Sequence, residues 1–254
     1  MSVQVNLTGL SFLVKSQDQN QVLHYSERTF EAQYAPQDIL AVLESEIQSN
    51  PIIKECKEIC VVYAMNAYTL VPESLFDETK LSEYLKFNTK ILAGDFVTFD
   101  KIDSHNINIV YVPLVNLNNY FFETFGSFQY FHATTILLTQ LLDAEKGALA
   151  PCAYVHVTKD HIDVIALEKD QLVLCNSYPY KTPEDLAYYV LFAFEQIRFN
   201  PNTVRTTLLG AISEDDPNFA ILYTYIRNIS IDQELGDTTI GSLQPHEQFI
   251  LKKA

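Results

Sequence analysis

The sequence predicts an α/β fold in which one pattern is written twice, and three observations carry that prediction. First, AYVHVT (Ala153–Thr158), HIDVIALE (His161–Glu168) and LVLCNSYPY (Leu172–Tyr180) have the alternation of strands. The charged pairs Lys159-Asp160 and Lys169-Asp170 separate them, as the tight turns of a three-strand meander would. Second, a helix start follows at once: Thr182 can cap, Pro183 suits the first helical position and Asp185 lies three residues after the cap. Third, the order recurs. Pro36-Gln37-Asp38-Ile39 precedes Ile59–Ala64 by the same interval that separates Pro183-Glu184-Asp185-Leu186 from Thr206–Ala211, as duplication would produce.

The elements follow in order. LTGLSFLVK, the polar turn SQDQNQ and VLHYSERTF read as strands around a turn, the first strand running from Leu7 to Val14. APQDILAVLESEIQSN reads as a helix from near Pro36, and ICVVYA (Ile59–Ala64) as a buried strand. Between the copies, KLSEYLKF suggests a helix, DFVTFDKI and INIVYVPL suggest strands, and NLNNYFFETF another helix. TTILLTQLLDAEKG (Thr134–Gly147) reads as a helix ended by glycine, and GALAP bridges to the second copy. The expected halves are therefore 1–150 and 151–254. In the second, Leu186, Val190, Phe194 and Ile197 form the stripe of a buried helix. TTLLGA (Thr206–Ala211) reads as a strand and PNFAILYTYIRN (Pro217–Asn228) as a helix, while the tail after Ile231 is polar and weakly patterned.

Composition narrows the function classes. With 48% hydrophobic residues, 15 Tyr and 16 Phe, a 254-residue chain can bury enough surface to offset its ordering entropy. A net charge of −15, with 17 Lys and Arg scattered rather than clustered, opposes binding to nucleic acid. The longest apolar run found, LAYYVLFAF, is too short for a membrane span, which needs about 20 residues. The opening MSVQVNLTGLSFLVKSQDQ reads as a strand rather than an export signal. Cys56, Cys60, Cys152 and Cys175 make no CxxC pair, so reduced thiols and a cytoplasmic location are expected.

Two copies of strand–strand–strand–helix–strand–helix resemble the two halves of the actin-like ATPase fold, a pair of ribonuclease-H-like domains. More specifically, the chain resembles a bacterial family, described as a domain of unknown function, that has this fold. The resemblance implies that ATP and magnesium would lie between the halves, on glycine-rich hairpin turns with an acid on the first strand. The residues depart from that pattern. Counting back from Asp163, the first acid of the second hairpin falls on His156, and the glycine positions fall on Thr158, Lys159 and Asp160. In the first half, Thr8 stands at the acid and Leu10 at the key glycine of Thr8-Gly9-Leu10-Ser11. LLGAISEDDPNF (Leu208–Phe219) resembles the adenosine turn, with Gly210 and Ser213 in place and Ala211 replacing the second glycine.

The remaining candidates have plain alternatives. GDTTIGS (Gly236–Ser242) has the glycine spacing of a Walker A loop without its Lys, and reads as a tail turn. His156, His161 and Asp163 have ligand chemistry on adjacent strands, yet single polar residues on half-exposed strands are common, so no metal is assigned. A metal-dependent nuclease needs an acid on the first strand, and Leu7–Val14 has none. The aromatic run NYFFETFGSFQYF (Asn119–Phe131) is either core packing at the junction of the halves or a docking surface for a protein. The expectation is a non-catalytic interaction or scaffold protein with an unidentified protein partner and no cofactor. The alternative is an ATP-binding protein or ATPase in which Ser11, Thr158, Lys159, Gly210 and Ser213 converge on ATP and magnesium.

Overall fold

The computed structural model describes residues 1–254 except 17–20, 88, 90, 92–93 and 236–238. The chain divides into two compact units, Met1–Thr139 with Ile250–Ala254, and Gln140–Phe249.

The first unit opens with β1 (Ser2–Asn6), β2 (Gly9–Lys15), β3 (Val22–Thr29), α1 (Pro36–Ser49), the single turn α2 (Pro51–Lys54) and β4 (Cys60–Tyr63). An insertion follows: β5 (Tyr68–Pro72), α3 (Leu81–Leu85), β6 (Thr98–Ile102) and β7 (Ile107–Tyr111). Then come α4 (Val115–Phe125), β8 (Gln129–His132) and α5 (Ala133–Ala144), inside which the division between units falls. The main sheet has the order β3-β2-β1-β4-β8, with β1 and β4 parallel and the two hairpins antiparallel. The inserted strands make a separate antiparallel sheet, β5-β7-β6. Helix α1 buries Ile39, Leu43 and Ile47, one residue per turn on a single stripe.

The expected strand from Leu7 to Val14 is corrected: the chain turns at Leu7-Thr8, and β1 lies before it. Asn6 drives the turn, because its Oδ1 accepts the Thr8 N–H at 2.8 Å. Strands β5 and β8 have no counterpart among the expected elements. The aromatic run Asn119–Phe131 is mainly packing within this unit. Phe121 is fully buried and its ring meets Phe125 and Phe128, while Phe128 meets Tyr130; Phe122 is the exposed exception. Asp100 fastens the insertion to the start of α5. Its buried carboxylate accepts from Tyr111 Oη (2.9 Å), the His132 N–H (2.7 Å) and Thr135 Oγ1 (2.6 Å).

The second unit repeats the plan with β9 (Cys152–Val157), β10 (His161–Glu168), β11 (Gln171–Pro179), α6 (Pro183–Gln196), β12 (Arg205–Gly210), α7 (Pro217–Tyr225) and β13 (Asn228–Ile231). Its order, β11-β10-β9-β12-β13, matches the first sheet strand for strand, with the same senses of pairing. This is a duplicated α/β fold. The expected helix Pro217–Asn228 ends at Tyr225, and the next residues leave it to form β13. The chain ends in α8 (Phe249–Lys253). Ala153, Val155 and Val157 of β9, with Ile162 and Val164 of β10, face Leu186, Val190 and Phe194 of α6 in one core. Among the described residues no helix is long and apolar enough to cross a membrane.

Helix α6 begins with a complete capping box. Thr182 Oγ1 accepts the Asp185 N–H at 3.2 Å, and Asp185 Oδ2 accepts the Thr182 N–H at 3.2 Å. Thr182→Ala is expected to cost about 1 kcal/mol, read as a lower midpoint in thermal unfolding.

Candidate functional site

Strand register assembles a polar row on the second sheet. Asp163 pairs with His156 on one side and Ser177 on the other, so the three stand abreast across β9, β10 and β11. Because Val155, Val157, Ile162 and Val164 face the α6 core, alternation turns His156 and Asp163 to the opposite face. Both are buried, at 6% and 8% exposure. Asp163 Oδ2 lies 3.1 Å from His156 Nδ1, and Oδ1 accepts the Ser177 hydroxyl at 2.5 Å. His161 Nε2 lies 3.9 Å from Asp163 Oδ2, and its Nδ1 lies 2.7 Å from Asp160 Oδ1.

The electrostatics follow from burial set against these partners. Burial pushes the Asp163 carboxyl up. The His156 hydrogen bond, the charges of His161 and His156 and the Ser177 hydroxyl outweigh it, bringing the carboxyl down to about 2. Burial pushes His161 down, but the Asp160 hydrogen bond and the charges of Asp163 and Asp160 carry it above its ordinary value. The His161 hydrogen bond is the main cause that holds Asp160 below the usual carboxylate range, against the opposing effect of burial. Two carboxylates held below their usual range therefore sit at the hairpin, each beside an imidazole.

The turn between β9 and β10 closes on itself. The Thr158 N–H donates to the His161 carbonyl (3.0 Å), and the His161 N–H donates to Thr158 Oγ1 (3.2 Å). Tyr180 Oη donates to the Thr158 carbonyl (2.7 Å), and the Tyr180 N–H donates to the Asp160 carbonyl (3.2 Å). Lys159 is an exposed turn residue. Phosphate cradles need converging backbone N–H donors; here the Thr158 and His161 donors bond within the hairpin, beside the Asp160 charge. Among the described residues no group of three or more His, Cys, Asp or Glu is arranged to hold a metal ion. His156, His161 and Asp163 bond to one another and their neighbours instead.

Gly210 ends β12 opposite Val157, with φ +87°. A Cβ there would lie 2.2 Å from the Val157 carbonyl oxygen and 3.1 Å from His156 Cδ2. Its N–H donates to the His246 carbonyl (2.9 Å), and the next N–H, of Ala211, donates to Val157 (2.8 Å). The glycine is thus required by backbone geometry alone. Ser213 is exposed in the following turn, its carbonyl accepting the Asp216 N–H at 3.1 Å. The structure brings Thr158 and Gly210 to either side of the Val157 strand end. Ser11 belongs to the first unit: it is buried inside β2, between Gln4 of β1 and Glu27 of β3. Gly236, Asp237 and Thr238 of the GDTTIGS stretch lie outside the described residues.

Two participants escape a reading of the sequence. Ser177 is legible only once the β10–β11 register is known. Tyr180, just beyond β11, has no local signal for its bond to the hairpin.

Comparison with solved structures places this arrangement in a known fold. A Bacteroides thetaiotaomicron VPI-5482 protein with an actin-like ATPase fold and unknown function has a TM-score of 0.84 and 20% identity, covering 99% of this chain and 93% of its own. A chain of the PilM–PilN type IV pilus biogenesis complex has a TM-score of 0.62 and 11% identity, covering 99% and 96%. The ethanolamine utilization protein EutJ from Carboxydothermus hydrogenoformans has a TM-score of 0.52 and 7% identity, covering 99% and 87%. At these identities the likenesses establish the actin-like fold alone. A search of curated protein sequences gives no match. The family profile described as "Protein of unknown function (DUF3822)" matches residues 1–229.

Proposed function

The chain belongs to the DUF3822 family, and we propose that it is a non-catalytic, cytoplasmic protein of actin-like fold that works by binding a protein partner. One observation carries this reading: the hairpin at Thr158–His161 is occupied by its own side chains. The Thr158 and His161 N–H groups bond within the hairpin, Tyr180 bonds the Thr158 and Asp160 carbonyls, and Asp160 and Asp163 stand where a phosphate would meet repulsion. A further support is that a chain of this fold is known from a two-protein complex, PilM–PilN.

The alternative, an atypical ATP-binding protein or ATPase, draws on Gly210 and Ser213. It is weakened because the Gly210 N–H is already bonded to His246. Isothermal titration with ATP, with and without magnesium, tests the reading. The expected result from folded protein is no binding tighter than about 1 mM. Micromolar binding that His156→Ala removes would overturn it in favour of a nucleotide site.

A further inference from the structure

The outer stripe of α6 is not what a solvated helix face usually carries. Glu184, Tyr188, Phe192 and Glu195 follow one another at helical spacing, and all four are exposed. Tyr188 and Phe192 stack, with ring centroids 6.0 Å apart and planes 17° from parallel, although Tyr188 is 61% exposed. On α7, which packs against α6, Tyr223 is 64% exposed and stacks on Phe219. Packing explains the inner faces of both helices through Leu186, Val190 and Leu222. It does not explain exposed aromatic stacks, which cost solvent ordering unless something covers them.

We propose that this face docks an amphipathic helix of a partner protein, with apolar residues at its centre and Lys or Arg at its two ends. The commitment to a basic occupant comes from charge. Glu184 and Glu195 flank the aromatic pair, and neither enters an ion pair among the described residues. The chain as a whole carries −15. Acidic ends draw in a cation and set its register, while the aromatic faces accept apolar side chains or a cation over the ring. Eleven residues of helix separate the two carboxylates, about 16 Å at the helical rise. A partner helix lying along α6 matches that span with two cations about three turns apart. Nucleic acid and anionic membrane surfaces meet the same carboxylates as repulsion.

This inference rests on the interaction reading above and names the chemistry of the partner. The probe is a synthetic amphipathic helical peptide with Lys at positions eleven residues apart and Leu between them on one face. Its counterpart has Glu for each Lys. Fluorescence anisotropy with the full chain is expected to show the Lys peptide binding at least about tenfold tighter than the Glu peptide. Tyr188→Ser with Phe192→Ser should remove that binding while circular dichroism and a cooperative thermal transition above the assay temperature show the variant folded, the partly covered Phe192 lowering the midpoint modestly. Glu184→Gln with Glu195→Gln should weaken it and flatten its salt dependence. Equal binding of the two peptides, binding that survives the aromatic double variant, or none up to about 1 mM would each overturn the proposal. An ATP titration on the same sample separates the two ideas. Micromolar ATP binding that His156→Ala removes defeats the non-catalytic reading whatever the peptide does, and peptide failure without such binding defeats only the docking face.

Discussion

Gly210→Ala is expected to destabilise the second unit by about 3 kcal/mol or more, a large effect for one added methyl group. Two costs add. The residue has φ +87°, where an L side chain is strained, and the new Cβ would lie 2.2 Å from the Val157 carbonyl oxygen. That oxygen is backbone in a central strand, so it cannot swing aside. Moving it would also disturb the Ala211 N–H bond to Val157. Gly147 supplies the control. It has φ +81°, and a Cβ there would meet nothing within 4 Å, so Gly147→Ala should cost only about 1 kcal/mol of backbone strain. Urea unfolding of the two variants gives the comparison. Equal losses would show that β9 and β12 do not approach as described. The same reasoning makes Gly210 variants poor probes of a nucleotide, because they damage the sheet first.

Asp163 dominates the expected acid response. Its carboxyl falls from an ordinary 3.8 to about 2 in the folded chain. A depressed folded value contributes stability that is present above the unfolded value and lost as pH falls through the folded one. The loss is therefore expected between about pH 4 and pH 2, and it amounts to roughly 2 kcal/mol. His161 acts in the opposite sense. Its folded value is raised above the ordinary 6.5, so its contribution is full below that value and is lost as pH rises through the folded one. Asp163→Asn is expected to lower stability at neutral pH by about 3 kcal/mol, because His156 Nδ1, His161 Nε2 and the Ser177 hydroxyl lose the carboxylate they face inside the sheet. It should also flatten the acid limb and shrink the His161 limb, with Asp160 left as the remaining acid beside His161. Unfolding free energies measured from pH 2 to 8 in both proteins test this. An unchanged acid limb in Asp163→Asn would assign the acid response to other carboxylates.

Elements whose burial and boundaries are local were legible. The meander Ala153–Tyr180 could be read because each strand alternates and each turn is charged. Helix α6 could be read because Thr182, Pro183 and Asp185 announce its start. Strands β8 and β13 could not. Each has four residues, and each is a strand only because β4 or β12 offers it a parallel edge. The turn at Leu7-Thr8, between Asn6 and Gly9, lies inside a longer stretch rich in strand-forming residues, and its determinant is Asn6 Oδ1, which accepts from both the N–H and the hydroxyl of Thr8.

The same division runs through the site. By itself the sequence determined the duplicated α/β plan, the placement of His161 and Asp163 on one face of their strand, and the lack of glycines at Thr158, Lys159 and Asp160. These depend on periodicity and residue type, which are properties of neighbouring positions. Only the tertiary structure decided that Ser177 and His156 flank Asp163, that Tyr180 closes the hairpin, and that Gly210 is demanded by the Val157 carbonyl. Those facts depend on strand register and on the approach of β12 to β9. Register joins residues far apart in the chain, and a one-residue slip would turn every side chain to the other face.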